Sequence, residues 1–250
     1  MKYMGRFAAV LFSVVIAVSM AYAEYILQTN TNVKKEISIP QTERKIDINE
    51  SLEYSIEWLG IPSGRLTLAV EGIEKINGHD CYHIAARAKP NKFFARFYNV
   101  EYQVHSYTDK DTLCSRMLVE ISKKKGRVRR RLYNLEEGQQ DIVSGFYQFR
   151  FMNISPGGEY SIDVFYEGEG WPVDIKVEEP FLKEVRKKGE LAVFCARMDT
   201  ELNLSIFGQP KASVFFSADS QRIPVEFKFG TRIGVIRGII KNHKVQKISF

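Results

Sequence analysis

The feature of this sequence that most limits its fold is a series of short runs in which apolar and polar residues alternate. In the run "RLTLAVEGIEKI", Leu66, Leu68 and Val70 fall on one face of an extended chain. The pair Asn77-Gly78 after this run predicts a type I′ hairpin. Similar runs follow at intervals of roughly 8–12 residues, separated by turn residues. We therefore predict a mainly β fold, either an antiparallel barrel or half-barrel or a sandwich.

One segment breaks the alternation and predicts a helix. Ile142, Phe146 and Phe149 recur at helical spacing, and Asp141 directly before them is a suitable N-cap residue. We therefore predict one short α-helix near residues 141–150, with these three apolar side chains in the core and Asp141 as its cap.

The first 23 residues have the order of a secretory signal peptide. Lys2 and Arg6 precede the uncharged stretch Phe7–Met20, which is too short for a membrane span of roughly 20 residues, and Ala21–Ala23 supplies small residues for cleavage. We predict cleavage after Ala23 and export to the periplasm. Loss of the two cations lowers the formal net charge from +6 to +4.

The rest of the chain divides by composition. Residues 24–49 are polar and irregular, which predicts a flexible N-terminal arm, and residues 50–250 form one β-rich domain. The word "EYSI" at Glu53 returns at Glu159, so two related halves, 50–135 and 156–250, are one alternative. Whether any two of Cys81, Cys114 and Cys195 form a disulfide stays open, because three cysteines are too few for a disulfide framework.

Three stretches carry a resemblance to a known family. "LEYSIEWLGIPSG", "DIVSGFYQFR" and "SADSQRIPVEF", the last followed by Ile233-Gly234, resemble the domain-of-unknown-function 3108 family of bacterial exported proteins. The likeness runs from about Glu50 to about Ile240. It implies an exported β-rich domain and adds no chemistry, because the function of the family is not established. The pattern also resembles lipoprotein-carrier folds, which are open half-barrels around an apolar cavity.

The densest charge run, "KKKGRVRRR", holds seven cations and no anion. Gly126 indicates a hairpin tip, so the run is either a solvated edge of the sheet or an attractor of anionic envelope material. An exported chain rarely meets nucleic acid, so we predict no nucleic-acid partner. Arg130 is expected on the core face with Val128 and Leu132, where it needs a carboxylate partner or an open groove. The cations assigned to the anionic-surface patch are Lys123, Lys124, Lys125, Arg127, Arg129 and Arg131.

Aromatic residues concentrate in two segments that do not alternate, residues 92–102 and the predicted helix. One hypothesis is that they form a lid over an apolar cavity for a lipid or another amphipathic ligand; the alternative is that they fill the core. The residues assigned to ligand binding are Phe93, Phe94, Phe97, Tyr98, Tyr147, Arg150 and Arg130.

Catalytic and metal chemistry find weak support. Ser144 follows Asp141 by three residues, but no histidine is near and no G-x-S-x-G motif is present. His79, Cys81 and His83 share one face of a strand, yet no fourth ligand is evident. We predict no catalytic residues, metal or cofactor. The expected function is an exported, non-enzymatic binding or carrier module for an amphipathic or anionic envelope ligand, with peripheral membrane contact. A structural or interaction protein of the envelope without a small ligand is the alternative, and a hydrolase is the third.

Overall fold

The structure, a computed structural model, describes residues 37–42, 46–97, 99–201, 211–231 and 234–245. These residues form thirteen strands, one α-helix and one 3-10 turn, so the predicted mainly β class with one short helix is confirmed. The helix α1 spans Ile142–Phe151 and the 3-10 turn spans Phe94–Arg96. In chain order the strands are β1 (Glu50–Trp58), β2 (Ile61–Ile76), β3 (His79–Pro90), β4 (Val100–Asp109), β5 (Ser115–Lys124), β6 (Arg127–Asn134), β7 (Glu159–Tyr166), β8 (Glu169–Val177), β9 (Phe181–Val185), β10 (Gly189–Thr200), β11 (Lys211–Ser217), β12 (Pro224–Thr231) and β13 (Gly234–Val245).

The described strands make one antiparallel sheet with the order β6-β5-β4-β3-β2-β1-β13-β12-β11-β10-β8-β7, and β9 pairs with the first part of β10. The first and last strands are neighbours, with Ser55 opposite Ile239. The edge strands β6 and β7 also approach each other, because the rings of Tyr133 and Phe165 lie 5.3 Å apart. The sheet therefore curls into a barrel that stays open between β6 and β7.

The alternation in the sequence sets the inner face of this sheet. In β2, Leu66, Leu68 and Val70 are buried, while the side chains between them are exposed or half-buried. The Asn77-Gly78 turn has φ angles of 49° and 88°, as a type I′ turn requires. Local sequence therefore specifies the β2–β3 hairpin, as predicted.

The helix α1 packs inside the curled sheet. The ring of Phe149 lies 5.6 Å from that of Phe216 in β11, which stacks on Phe194 of β10 at 5.3 Å. Tyr147 and Phe149 are at most 1% exposed. Burial of these large apolar surfaces is the main force that holds the helix against the strands.

The predicted burial of the helix needs one correction. Phe149 is buried as expected, but Ile142 and Phe146 are only half-buried. The deepest positions include Val143 and Tyr147. The reason is that strands enclose the helix on several sides, so its burial does not follow a single apolar stripe.

The end of the predicted N-terminal arm packs on the domain. Ile39 and Ile46 are 8% and 1% exposed, and the carbonyl of Pro40 accepts a hydrogen bond of 2.9 Å from the guanidinium of Arg222. Ile39 and Ile46 are therefore part of the core, whereas neighbours such as Asp47 and Ile48 are exposed. The predicted signal peptide, residues 1–23, and the first part of the arm lie outside the described residues.

Candidate functional site

Three connections lie together at one end of the sheet because the antiparallel register places them there. Gly64 of β2 is opposite Pro90 of β3, so the β1–β2 turn lies beside the β3–β4 connection. Val100 of β4 is opposite Lys124 of β5, so that connection also lies beside the β5–β6 turn. We name these three segments, residues 59–61, 91–97 and 123–129, the loop end.

The β3–β4 connection presents two phenylalanines to solvent. Oδ1 of Asn91 accepts a hydrogen bond of 2.9 Å from the N–H of Phe94, and the Phe94 ring packs edge-on against Trp58 at 6.2 Å. Phe93 and Phe97 are 58% and 78% exposed, with ring centroids 5.6 Å apart. Phe94 therefore anchors the segment, while the other two rings form an exposed apolar pair.

The β1–β2 turn adds two aliphatic side chains to this surface. Leu59 and Ile61 are 59% and 54% exposed. Leu59 has a φ of 51°, a conformation that few residues other than glycine adopt, and Gly60 follows with 80°. Neither apolar residue was predicted as part of a site. The sequence signal for this surface was the placement of Leu59 and Ile61 on either side of the turn residue Gly60.

The basic run forms the β5–β6 hairpin beside these apolar residues. Its turn is Lys125-Gly126, with φ angles of 47° and 78°. Within the described part of the chain, Arg131 is the one cation of the run with an ion pair, at 3.8 Å from Glu120 and 3.4 Å from Glu167. The exposed cations of the run are Lys123, Lys125, Arg127, Arg129 and Arg130, and Lys124 is half-buried.

The predicted core face of β6 was wrong. Val128 and Leu132 are 65% and 50% exposed, and Arg130 between them is exposed too. The register pairs Glu120 with Arg131 and Leu118 with Tyr133, so the half-buried side chains Arg131 and Tyr133 face inward instead. Because Arg130 lies in solvent on an edge strand, it needs neither a buried carboxylate nor a groove.

The residues predicted to bind a ligand separate into two places. Phe93, Phe94 and Phe97 lie at the loop end, beside the basic run, whereas Tyr147 and Arg150 lie inside the barrel. Tyr98 lies outside the described residues. The structure thus joins the aromatic segment to the cations, which the sequence had suggested as separate features.

Tyr147 and Arg150 have a structural role on Glu50 of β1. Nη1 and Nη2 of Arg150 each donate to one Glu50 oxygen at 2.7 Å, the Tyr147 hydroxyl donates at 3.0 Å, and Nε2 of His243 in β13 lies at 3.2 Å. Burial alone would raise the pKa of Glu50, but hydrogen bonds from His243 and Arg150, the Arg150 charge and the Tyr147 hydroxyl lower it to about 2. This buried network fastens the helix to β1 and β13.

Asp141 is the N-cap residue of α1 and is fully buried. Its Oδ1 accepts hydrogen bonds from the N–H groups of Val143 and Ser144 at 2.7 and 3.0 Å. Its Oδ2 accepts from the hydroxyls of Ser106 and Ser115, each at 2.6 Å. Burial raises the pKa of Asp141, while these donors oppose the shift. The cap therefore also ties the helix start to β4 and β5.

These features define a class of protein: an open antiparallel barrel that encloses a helix and has one end that is both apolar and basic. The chain belongs to the family described as "Protein of unknown function (DUF3108)", which matches residues 53–241. No curated protein matches the chain. Within the described residues, no helix combines the length and the apolar character needed to cross a membrane.

Two solved structures are similar to this chain. The β-barrel-like protein of the domain of unknown function DUF1849 from Brucella abortus has 10% sequence identity and a TM-score of 0.50, over 80% of this chain and 98% of that chain. A Bacteroides fragilis protein with a YmcC-like fold has 8% identity and a TM-score of 0.33, over 83% and 99%. The first likeness shows the barrel-like fold alone, and the second is too weak to support an argument.

Proposed function

We propose that the protein is exported and binds anionic membrane surfaces of the cell envelope through its loop end, without catalysing a reaction. The observation that carries this proposal is the juxtaposition of exposed Phe93 and Phe97 with the cationic hairpin, through the pairing of Val100 with Lys124. Aromatic and aliphatic side chains enter the headgroup region of a bilayer, while nearby cations contact lipid phosphates.

The expected binding energy favours reversible attachment. Each cation near an anionic membrane contributes about 1 kcal/mol, and this attraction decays within a Debye length of roughly 8 Å at physiological salt. Full burial of a phenylalanine side chain contributes about 1.5–3 kcal/mol. Several cations and two exposed rings together are sufficient for binding to a surface without a membrane-spanning element.

Export to the periplasm rests on the first 23 residues. The order of Lys2 and Arg6, an apolar stretch and Ala21–Ala23 is that of a cleaved secretory signal. Protein purified from the envelope of its own cell should begin at Glu24, as N-terminal sequencing would reveal. A chain that still begins at Met1 would contradict the cleavage.

A carrier that encloses an amphipathic ligand is less well supported. Helix α1 occupies the inside of the curl, and the cleft between β6 and β7, lined by Tyr102, Glu120 and Phe165, has a free volume of about 10 Å³, enough for roughly one water molecule. A larger, open groove of about 1130 Å³ is lined by charged residues such as Asp174 and Lys176 together with apolar ones such as Ile175 and Met198. The packed interior favours the second candidate, an interaction protein of the envelope without a small ligand.

Vesicle co-sedimentation tests the proposal. The wild-type protein should sediment with vesicles that contain phosphatidylglycerol at low salt, less so at high salt, and weakly with pure phosphatidylcholine. A quadruple change of Lys123, Lys124, Lys125 and Arg127 to Gln should abolish the salt-sensitive binding. The double change of Phe93 and Phe97 to Ser should weaken the part that survives at high salt.

The matched control removes four exposed cations from the opposite end of the sheet. Lys187 and Lys188 lie in the β9–β10 turn, and Lys241 and Lys244 lie in β13 near its pairing with the start of β1. Their change to Gln alters the net charge by the same amount and should leave vesicle binding intact. If both quadruple variants lose binding equally, net charge alone explains it. If the wild-type protein does not sediment with anionic vesicles at low salt, the loop end does not bind membranes.

A further inference from the structure

A cluster of histidine and glutamate side chains lies on the outer face of β2, β3 and β4. Nε2 of His83 is 2.8 Å from Nδ1 of His105 and 3.7 Å from Oε2 of Glu71. One candidate ligand atom from each of the three residues lies within 4.8 Å of the others. The register shift between Val70 and Gly72 leaves Glu71 as the extra residue of a β-bulge, a device that commonly redirects a side chain toward a site.

We propose that Glu71, His83 and His105 bind a divalent transition metal ion, with Zn²⁺ as the probe. Imidazole nitrogens bind Zn²⁺ at about 2.0–2.1 Å, so two ligands of a tetrahedral site are about 3.3 Å apart. The distances from His83 Nε2 to its two neighbours, 2.8 and 3.7 Å, lie on either side of this value. Small side-chain rotations therefore suffice to accommodate the ion, and one tetrahedral position stays open to solvent.

Three further contacts orient the ligand atoms. Nδ1 of His83 lies 2.7 Å from Oε1 of Glu74, which directs its proton to that carboxylate and leaves the lone pair of Nε2 facing His105. Arg87 lies 2.7 Å from Oε1 of Glu71, which leaves Oε2 toward the imidazoles. The His83 ring stacks on Tyr107 with centroids 4.7 Å apart. A carboxylate behind a histidine is the usual outer contact of a metal-binding imidazole.

The ligand set differs from the one that the sequence suggested. Cys81 is buried, and its Sγ lies 3.6 Å from the carbonyl oxygen of His79. The sequence grouped His83 with its strand neighbours; the structure instead supplies His105 from β4 and Glu71 from the bulge.

Calorimetric titration of the purified protein with ZnSO₄ tests the site. The wild-type protein should bind one equivalent. His105→Gln and Glu71→Gln should each weaken binding about 100-fold or more, and Glu74→Gln about 10–100-fold, the range observed for outer-shell partners. His79→Ala is the matched control, because His79 lies on the same strand as His83 but contacts Asp109 at 3.2 Å. The Zn²⁺ affinity of this variant should stay within about twofold of the wild type.

Two measurements keep this test independent of folding. Circular dichroism and thermal unfolding establish that each variant is folded, and His105→Gln leaves the stack of His83 on Tyr107 in place. Co²⁺ in place of Zn²⁺ should give d–d absorption without a sulfur charge-transfer band. Absence of Zn²⁺ binding by the wild-type protein, loss of binding in His79→Ala, or a sulfur band from Cys81 would each overturn the proposal.

Discussion

Arginine serves opposite purposes in two regions of this molecule. Inside the barrel, Arg150 is 3% exposed and donates two hydrogen bonds of 2.7 Å to Glu50 and one of 3.0 Å to the carbonyl of Gln221. At the loop end, Arg127 and Arg129 are exposed on an edge strand, and within the described residues neither forms an ion pair. The same side chain holds the fold together in one place and faces solvent in the other.

The difference follows from the cost of removing charge from water. A buried guanidinium without hydrogen-bond acceptors is strongly destabilising. Arg150 therefore needs the Glu50 carboxylate and the Gln221 carbonyl in fixed positions around it. Exposed cations have no such requirement. Six of the seven cations in the run form no ion pair within the described residues, and they repel each other, so they gain little for the fold. This is the pattern expected of the membrane-binding role proposed for the loop end.

Removal of the buried charge should have the largest effect on stability. Arg150→Met leaves Glu50 buried without its ion pair and should lower the free energy of unfolding by about 3–5 kcal/mol, as measured in urea. The double variant Glu50→Gln with Arg150→Met removes both charges and should lose less than the single variant. Equal losses would mean that the pair is not coupled.

Acid should lower the free energy of unfolding by protonating the buried Glu50 carboxylate. The pKa of Glu50 is lowered to about 2, so the stability that its carboxylate contributes is complete above its unfolded pKa and disappears as the pH falls toward 2. The shift corresponds to about 3 kcal/mol. Urea unfolding between pH 6 and pH 2 should therefore show a steeper loss for the wild type than for Glu50→Gln. Parallel curves would remove Glu50 as the source.

The helix cap should contribute somewhat less. Asp141→Ala should cost about 2 kcal/mol, the upper end of the range for lost N-caps, because the hydroxyls of Ser106 and Ser115 also lose their acceptor. Asp141→Asn keeps an acceptor for the helix N–H groups and should cost less. Thermal unfolding of both variants is the measurement, and an unchanged alanine variant would show that the cap is not a stabilising contact.

Local patterns in the sequence were sufficient for the strands, the Asn77-Gly78 hairpin and the helix with its cap, because alternation, turn residues and capping are local effects. They could not show that Glu50 would meet Arg150, since the two are 100 residues apart. The inward face of β6 could not be predicted either, because half of the residues in this edge strand are arginines and they do not alternate with apolar residues.

The smallest expected effect concerns the loop end itself. The free energy of unfolding of the quadruple Gln variant of Lys123, Lys124, Lys125 and Arg127 in urea should lie within about 0.5 kcal/mol of the wild type or slightly above it. Three of the four cations are exposed, none has an ion pair within the described residues, and the substitutions relieve the repulsion among them. Arg131→Gln is the control within the same run. This residue contacts Glu120 and Glu167 at 3.8 and 3.4 Å, so its loss should cost about 0.2–1 kcal/mol, the usual value of a partly exposed ion pair. If the quadruple variant were instead the less stable of the two, the exposed cations would be part of the fold, and the contrast between the two regions would not hold.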